Sequence, residues 1–93
     1  MLKDDDSREA VAARLERIRE FLNYSKREFA VKAGISEQTY NGYSSASRPI
    51  SMESAKKFRK TYGLPLDFIL FGSTGELPMR YLPALQGNGA QQD

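Results

Sequence analysis

Along most of this chain the apolar residues recur at steps of three and four, the rhythm of helices with one buried face. From Glu9 to Leu22 the stripe is Val11, Leu15, Ile18 and Leu22, widened by Phe21. Arg14, Arg17 and Arg19 are placed on the solvent side, interleaved with Glu16 and Glu20 at i,i+3 and i,i+4 spacing. Asn23 and Tyr24 connect this helix to the next. Ser25 reads as an N-cap with Glu28 completing a capping box, and Phe29, Ala30 and Ala33 face inward until Gly34 stops the helix. Ile35 seals the turn. Ser36 is the next N-cap, opening a helix over 36–45 with Tyr40 and Tyr43 inward and Glu37, Gln38, Asn41, Gly42 and Ser45 on its other face.

After a loop at Ser47-Arg48-Pro49-Ile50, Ser51 restarts a helix with Met52, Ala55, Phe58 and Tyr62 toward the core and Lys56, Lys57 and Lys60 in water. Gly63 ends it. Pro65 suits the first turn of a last short helix, Leu66–Phe71, whose Leu66, Ile69 and Leu70 close the core before Gly72. The expected architecture is all-α with five helices over residues 9–72. Residues 1–8 read as a disordered acidic lead-in, and 73–93 as a flexible tail or dimerisation arm with an apolar island at Leu77, Met79, Tyr81, Leu82 and Leu85.

Phe29, Ala30, Ala33, Gly34, Ile35, Tyr40 and Tyr43 have the spacing of a helix-turn-helix at helices 2 and 3. Together with RLERIREFL before the motif, KREFAVKAGIS within it and YGLPLDFILFG at the end, they make the chain resemble the Cro/C1-type (XRE-like) regulators of phages and bacteria. The resemblance covers about Ala12–Gly72 and implies a lambda-repressor-like DNA-binding domain. It also implies that the second motif helix reads bases in the major groove, which maps onto Glu37, Gln38 and Gly42, with Thr39 and Asn41 as second-rank candidates. Gln38 suits adenine and Glu37 a cytosine amine, while Gly42 would let the backbone approach a thymine methyl.

The chain departs from the family in two places that bear on function. Lys26 stands where the family often has Gln, and Ser44 where it has a Glu that pairs with an arginine of the first helix, which leaves Arg19 without that partner. Gly42 also lies inside a helix, at a cost of about 0.8–1 kcal/mol relative to Ala.

Composition narrows the chemistry. Ninety-three residues allow one domain with a modest core. With neither Cys nor His, the usual zinc ligands and the commonest general base are missing, and no nucleophile–base pair or phosphate-cradling loop is visible. No enzyme, metal, cofactor or small-molecule ligand is expected. The acidic start MLKDDDSREA is unlike an export signal, and no apolar run reaches membrane-spanning length, which points to the cytoplasm.

Net charge is +2, but residues 8–62 hold 12 Lys/Arg against 6 Asp/Glu, or +6, between two acidic ends. Such a basic middle suits double-stranded DNA, and phosphate contacts are expected from Ser25, Lys26, Arg27, Ser45, Ser47 and Arg48, which flank the reading helix. A homodimer is expected, joined through Phe68, Phe71, Leu77, Met79, Tyr81 and Leu82, because a core of this size leaves several of them nowhere to bury. The competing reading keeps the fold but makes it a protein-interaction module, with the apolar C-terminal segment docking a partner.

Overall fold

The computed structural model describes residues 7–85, and among these there is no strand. The helices follow in the expected order: α1 (Arg8–Leu22), α2 (Lys26–Lys32), α3 (Glu37–Ser44), α4 (Met52–Tyr62) and α5 (Leu66–Phe71), then a 3-10 turn over Met79–Tyr81. The starts lie where the capping residues put them. Ser7, Ser25, Ser36 and Ser51 each accept a bond from a first-turn backbone N–H, and Ser25 and Glu28 form a reciprocal capping box.

Several helix ends share one device. After α1, α2, α3 and α5 the chain turns through a left-handed residue, at Asn23, Gly34, Ala46 and Gly72, and the next N–H reaches back to a helix carbonyl, five residues away in the first three and six after α5. Gly34, at φ 82°, makes the sharp turn between α2 and α3. Its carbonyl accepts a bond from Lys57 Nζ at 3.3 Å, so Lys57, expected in water, instead ties α4 to that turn.

The core is an aromatic stack with aliphatic walls. Phe29 lies with its ring centroid 4.7 Å from Tyr62 and 5.2 Å from Phe58, and meets Tyr40 edge-on at 5.3 Å. Val11, Leu15, Ile18, Ala30, Ala33, Ile35, Tyr43, Ala55, Leu64, Phe68 and Ile69 surround it. The Tyr62 hydroxyl donates to the Phe29 carbonyl at 2.8 Å, fixing α4 on α2.

Other expectations need correction too. Arg14, assigned to the solvent face, is completely buried and donates through Nε and Nη2 to the Ile69 carbonyl at 3.3 and 3.2 Å. That oxygen is in the last turn of α5, which has no following turn to bond it, and the guanidinium takes the place of a cap. Met52 was expected in the core but is 51% exposed, because at the first position of α4 its side chain leans back past the end of the stack.

Phe68, Leu77 and Tyr81 were expected on a subunit surface. They are buried in the chain's own core. The segment after α5 is held there by the Tyr81 hydroxyl, which donates to the Tyr62 carbonyl at 2.5 Å, and by Arg80 Nη2 on the same oxygen at 3.1 Å. Met79 (81% exposed) and Phe71 (44%) do point outward, and Leu82 is half-buried.

The lead-in expected over 1–8 lies outside the described residues except for Ser7 and Arg8, which cap and begin α1. The part of the expected tail beyond Leu85 lies outside them too. Among the described residues no helix is long and apolar enough to cross a membrane.

Candidate nucleic-acid interface

With Tyr40 and Tyr43 buried, helix geometry turns Gln38, Asn41, Gly42 and Ser45 to the opposite side of α3, with Glu37 and Thr39 at its flanks. Glu37, Gln38, Asn41 and Ser45 are exposed, whereas Thr39 and Gly42 are half-buried. Thr39 is tied at the helix start, its hydroxyl accepting from Ser36 Oγ at 2.9 Å. The structure thus brings the candidate readers onto one outward face, with Gln38 and Asn41 best presented.

The inward side of α3 is fixed by a network that the sequence did not disclose. Tyr40 donates its hydroxyl to Glu16 Oε2 at 2.5 Å, Glu16 Oε1 lies 2.8 Å from Arg19 Nη2, and Arg19 Nη1 donates to the Tyr24 carbonyl at 2.7 Å. Arg19 also lies 3.6 Å from Glu20. Arg19 therefore makes no pair with Ser44, as expected, but it is not left unpaired. The tie between α1 and α3 runs through the Tyr40 phenol on Glu16.

The titrating groups reflect this. Burial pushes the Glu16 carboxyl up, but hydrogen bonds from Arg19 and Tyr40, with the charges of Arg19 and Lys26, outweigh it and hold the group below its ordinary value. Burial, then the Glu16 hydrogen bond and charge, push the Tyr40 phenol far up, so it stays a donor.

The exit from α3 is equally specific. Ala46 takes a left-handed conformation at φ 63°, its N–H bonding the Tyr43 carbonyl at 3.1 Å, and the N–H groups of Ser47 and Arg48 both reach the Gly42 carbonyl, at 3.0 and 3.2 Å. The hydroxyls of Ser45 and Ser47 donate to the same oxygen at 3.4 and 3.3 Å. Arg8 Nη1 holds the Ser47 carbonyl at 3.4 Å.

This turn lays the Arg48 side chain along α3. A Cβ added at Gly42 would meet Arg48 Nε at 2.8 Å and its Cγ and Cδ at 3.0 Å. The space expected to admit a base is filled by Arg48, and Gly42 itself is set back beneath it. The charge of Arg48 also reaches Tyr43. Burial pushes that phenol up, but bonds with Ser51 and Ser54 and the Arg48 charge bring it below its ordinary value.

Of the expected phosphate contacts, Lys26, Arg27 and Arg48 are exposed, and among the described residues none of the three is in a salt bridge. Ser25, Ser45 and Ser47 are exposed but have their hydroxyls in caps. Nothing local in the sequence could have paired Tyr40 with Glu16, 24 residues away.

A helix-turn-helix family model matches residues 15–69, which run from the middle of α1 into α5. No curated protein and no solved structure gives a significant match. The family match agrees with α2, the Gly34 turn and α3, and the chain belongs to the Cro/C1-type helix-turn-helix family of DNA-binding regulators.

Proposed function

We propose that this protein is a sequence-specific transcriptional regulator of the phage or bacterial repressor type, which inserts α3 into the DNA major groove and acts by occupying an operator in the cytoplasm. The observation that carries this reading is the state of α3's outer face. Among the described residues Glu37, Gln38 and Asn41 are exposed there with side chains in no hydrogen bond or salt bridge, and Lys26, Arg27 and Arg48 lie in the flanking segments without carboxylate partners. Polar side chains with open hydrogen-bonding capacity suit base edges, and uncommitted cations beside them suit phosphates.

One α3 covers only a few base pairs, so the reading includes a two-fold homodimer on a pseudo-palindrome with half-sites about 34 Å apart. Phe71 is the apolar side chain best placed to join subunits. It is exposed at the end of α5 and borders a groove lined by Val11, Pro49, Ile50 and Leu70. The rival reading, a protein-interaction module, drew on the aromatic tail, and that tail's Leu77 and Tyr81 belong to this chain's own core.

Selection from a random duplex pool tests the proposal. The recovered sequences should be pseudo-palindromes with centres about 10 base pairs apart. Gln38→Ala should cost ~1–3 kcal/mol on the selected site and little on random DNA. Equal losses on both would remove Gln38 as a reader, and a pool that yields no preferred sequence would leave the interaction module standing.

A further inference from the structure

The phosphate role expected of Arg48 does not account for where its side chain lies. An arginine in the loop after a helix is free to swing toward the backbone of a duplex, but this one runs back over α3, its aliphatic stem and Nε occupying the space of the missing side chain at Gly42. Position 42 is one turn beyond Gln38, on the same outward face. The backbone sets up this course, since Ala46 adopts a left-handed conformation and the Ser47 and Arg48 amides close onto the Gly42 carbonyl. Among the described residues Arg48 is in no salt bridge, whereas the arginines of α1 all donate to oxygens of the chain.

We propose that Arg48, seated in the notch left by Gly42, is a base-reading residue that serves α3 as a substitute side chain at position 42 and takes the O6/N7 edge of a guanine next to the base pair read by Gln38. This rests on the DNA-binding reading above. The guanidinium fork matches guanine's two major-groove acceptors, which an ammonium at the same place cannot engage in the same way. Gly42 then has a reason to interrupt a helix: even a methyl there would displace the Arg48 side chain from its seat. Its direct approach to a thymine methyl is replaced by this indirect part.

The test uses the full chain and the duplex selected by the wild type, with random duplex as reference. Arg48→Lys keeps the charge and should bind random duplex within about twofold of wild type, yet lose roughly tenfold or more on the selected site and become indifferent to one guanine in each half-site. Gly42→Ala should produce the same loss, because its methyl and the arginine cannot share the space, and helical content will show that α3 is intact. In an Arg48→Ala background, Gly42→Ala should add no further loss.

Equal affinity of Arg48→Lys and wild type for the selected site would overturn the assignment, and so would equal losses on both duplexes. A loss on Gly42→Ala that persists without Arg48 would place Gly42 itself against the DNA and overturn it too. A wild-type protein with no sequence preference and no salt-dependent duplex binding would overturn the DNA-binding reading as well, an outcome distinct from the others because it appears before any substitution is made.

Discussion

Two regions of one basic stretch use their cations in opposite ways. On α1, Arg14 donates to the Ile69 carbonyl, Arg17 to the Leu85 carbonyl at 2.9 Å, and Arg19 to Glu16 and the Tyr24 carbonyl. Around α2 and α3, Lys26, Arg27 and Arg48 are exposed and in no salt bridge among the described residues. The +6 of residues 8–62 is therefore a poor measure of the charge available to a ligand. In one region positive charge acts as internal bonding, holding α5 and the following segment on α1. In the other it lies exposed, beside a helix whose Glu37, Gln38 and Asn41 side chains are in no hydrogen bond or salt bridge among the described residues.

The comparison can be broken most forcefully at Arg14. Arg14→Ala would empty a fully buried volume and strip a bond from the last turn of α5, and should cost about 3 kcal/mol or more. Arg14→Met fills most of that volume and should cost less. Thermal or urea melts would show the order, while DNA affinity per folded molecule should be unchanged for both. Wild-type stability in the alanine variant would mean that this arginine is not internal bonding at all.

A smaller effect is expected where the two regions meet, at Tyr40 and Glu16. Tyr40→Phe keeps the ring in its aromatic stack and removes only the hydroxyl bond, for about 1–2 kcal/mol at neutral pH. The pH dependence has a definite sign. The folded-state pKa of Glu16 lies below the ordinary value of 4.5, so its contribution is fully present above about that pH and is lost as pH falls through the lower, folded value. The stability gap between wild type and Tyr40→Phe should thus be constant from neutrality to about pH 5 and narrow below it. A gap that widened on acidification would point to some group other than Glu16.

What the sequence disclosed and what it hid follow from the range of the interactions involved. Serine caps and glycine stops are local, and they placed the starts of α2 to α4 and the turns after α2, α4 and α5 within about a residue, whereas the Ser7 cap of α1 was missed in a segment read as disordered. Apolar spacing likewise put Phe29, Ala30, Tyr40, Tyr43, Phe58 and Tyr62 inside. Arg14 was legible in position though not in type, since it falls on the stripe three residues after Val11 and four before Ile18.

Other features had no local signal. Ala46 has no preference for the left-handed turn it makes, so the return of Arg48 over Gly42 could not be foreseen. The apolar residues after Gly72 were visible as an island, but whether Leu77 and Tyr81 covered this chain or another depended on bonds to Tyr62, far away in sequence. The outward polar face of α3 was read correctly as a face. Which of its positions present a side chain was settled by burial and by the loop.

The slope of log K against log salt on random duplex tests the division of charge most directly. Lys26→Ala and Arg27→Ala should each flatten the wild-type slope by about one unit or less, as phosphate-neutralising groups do, while Arg17→Ala should leave it unchanged at intact helical content. A wild-type slope near zero, or a slope reduced by Arg17→Ala as much as by Lys26→Ala, would contradict the account.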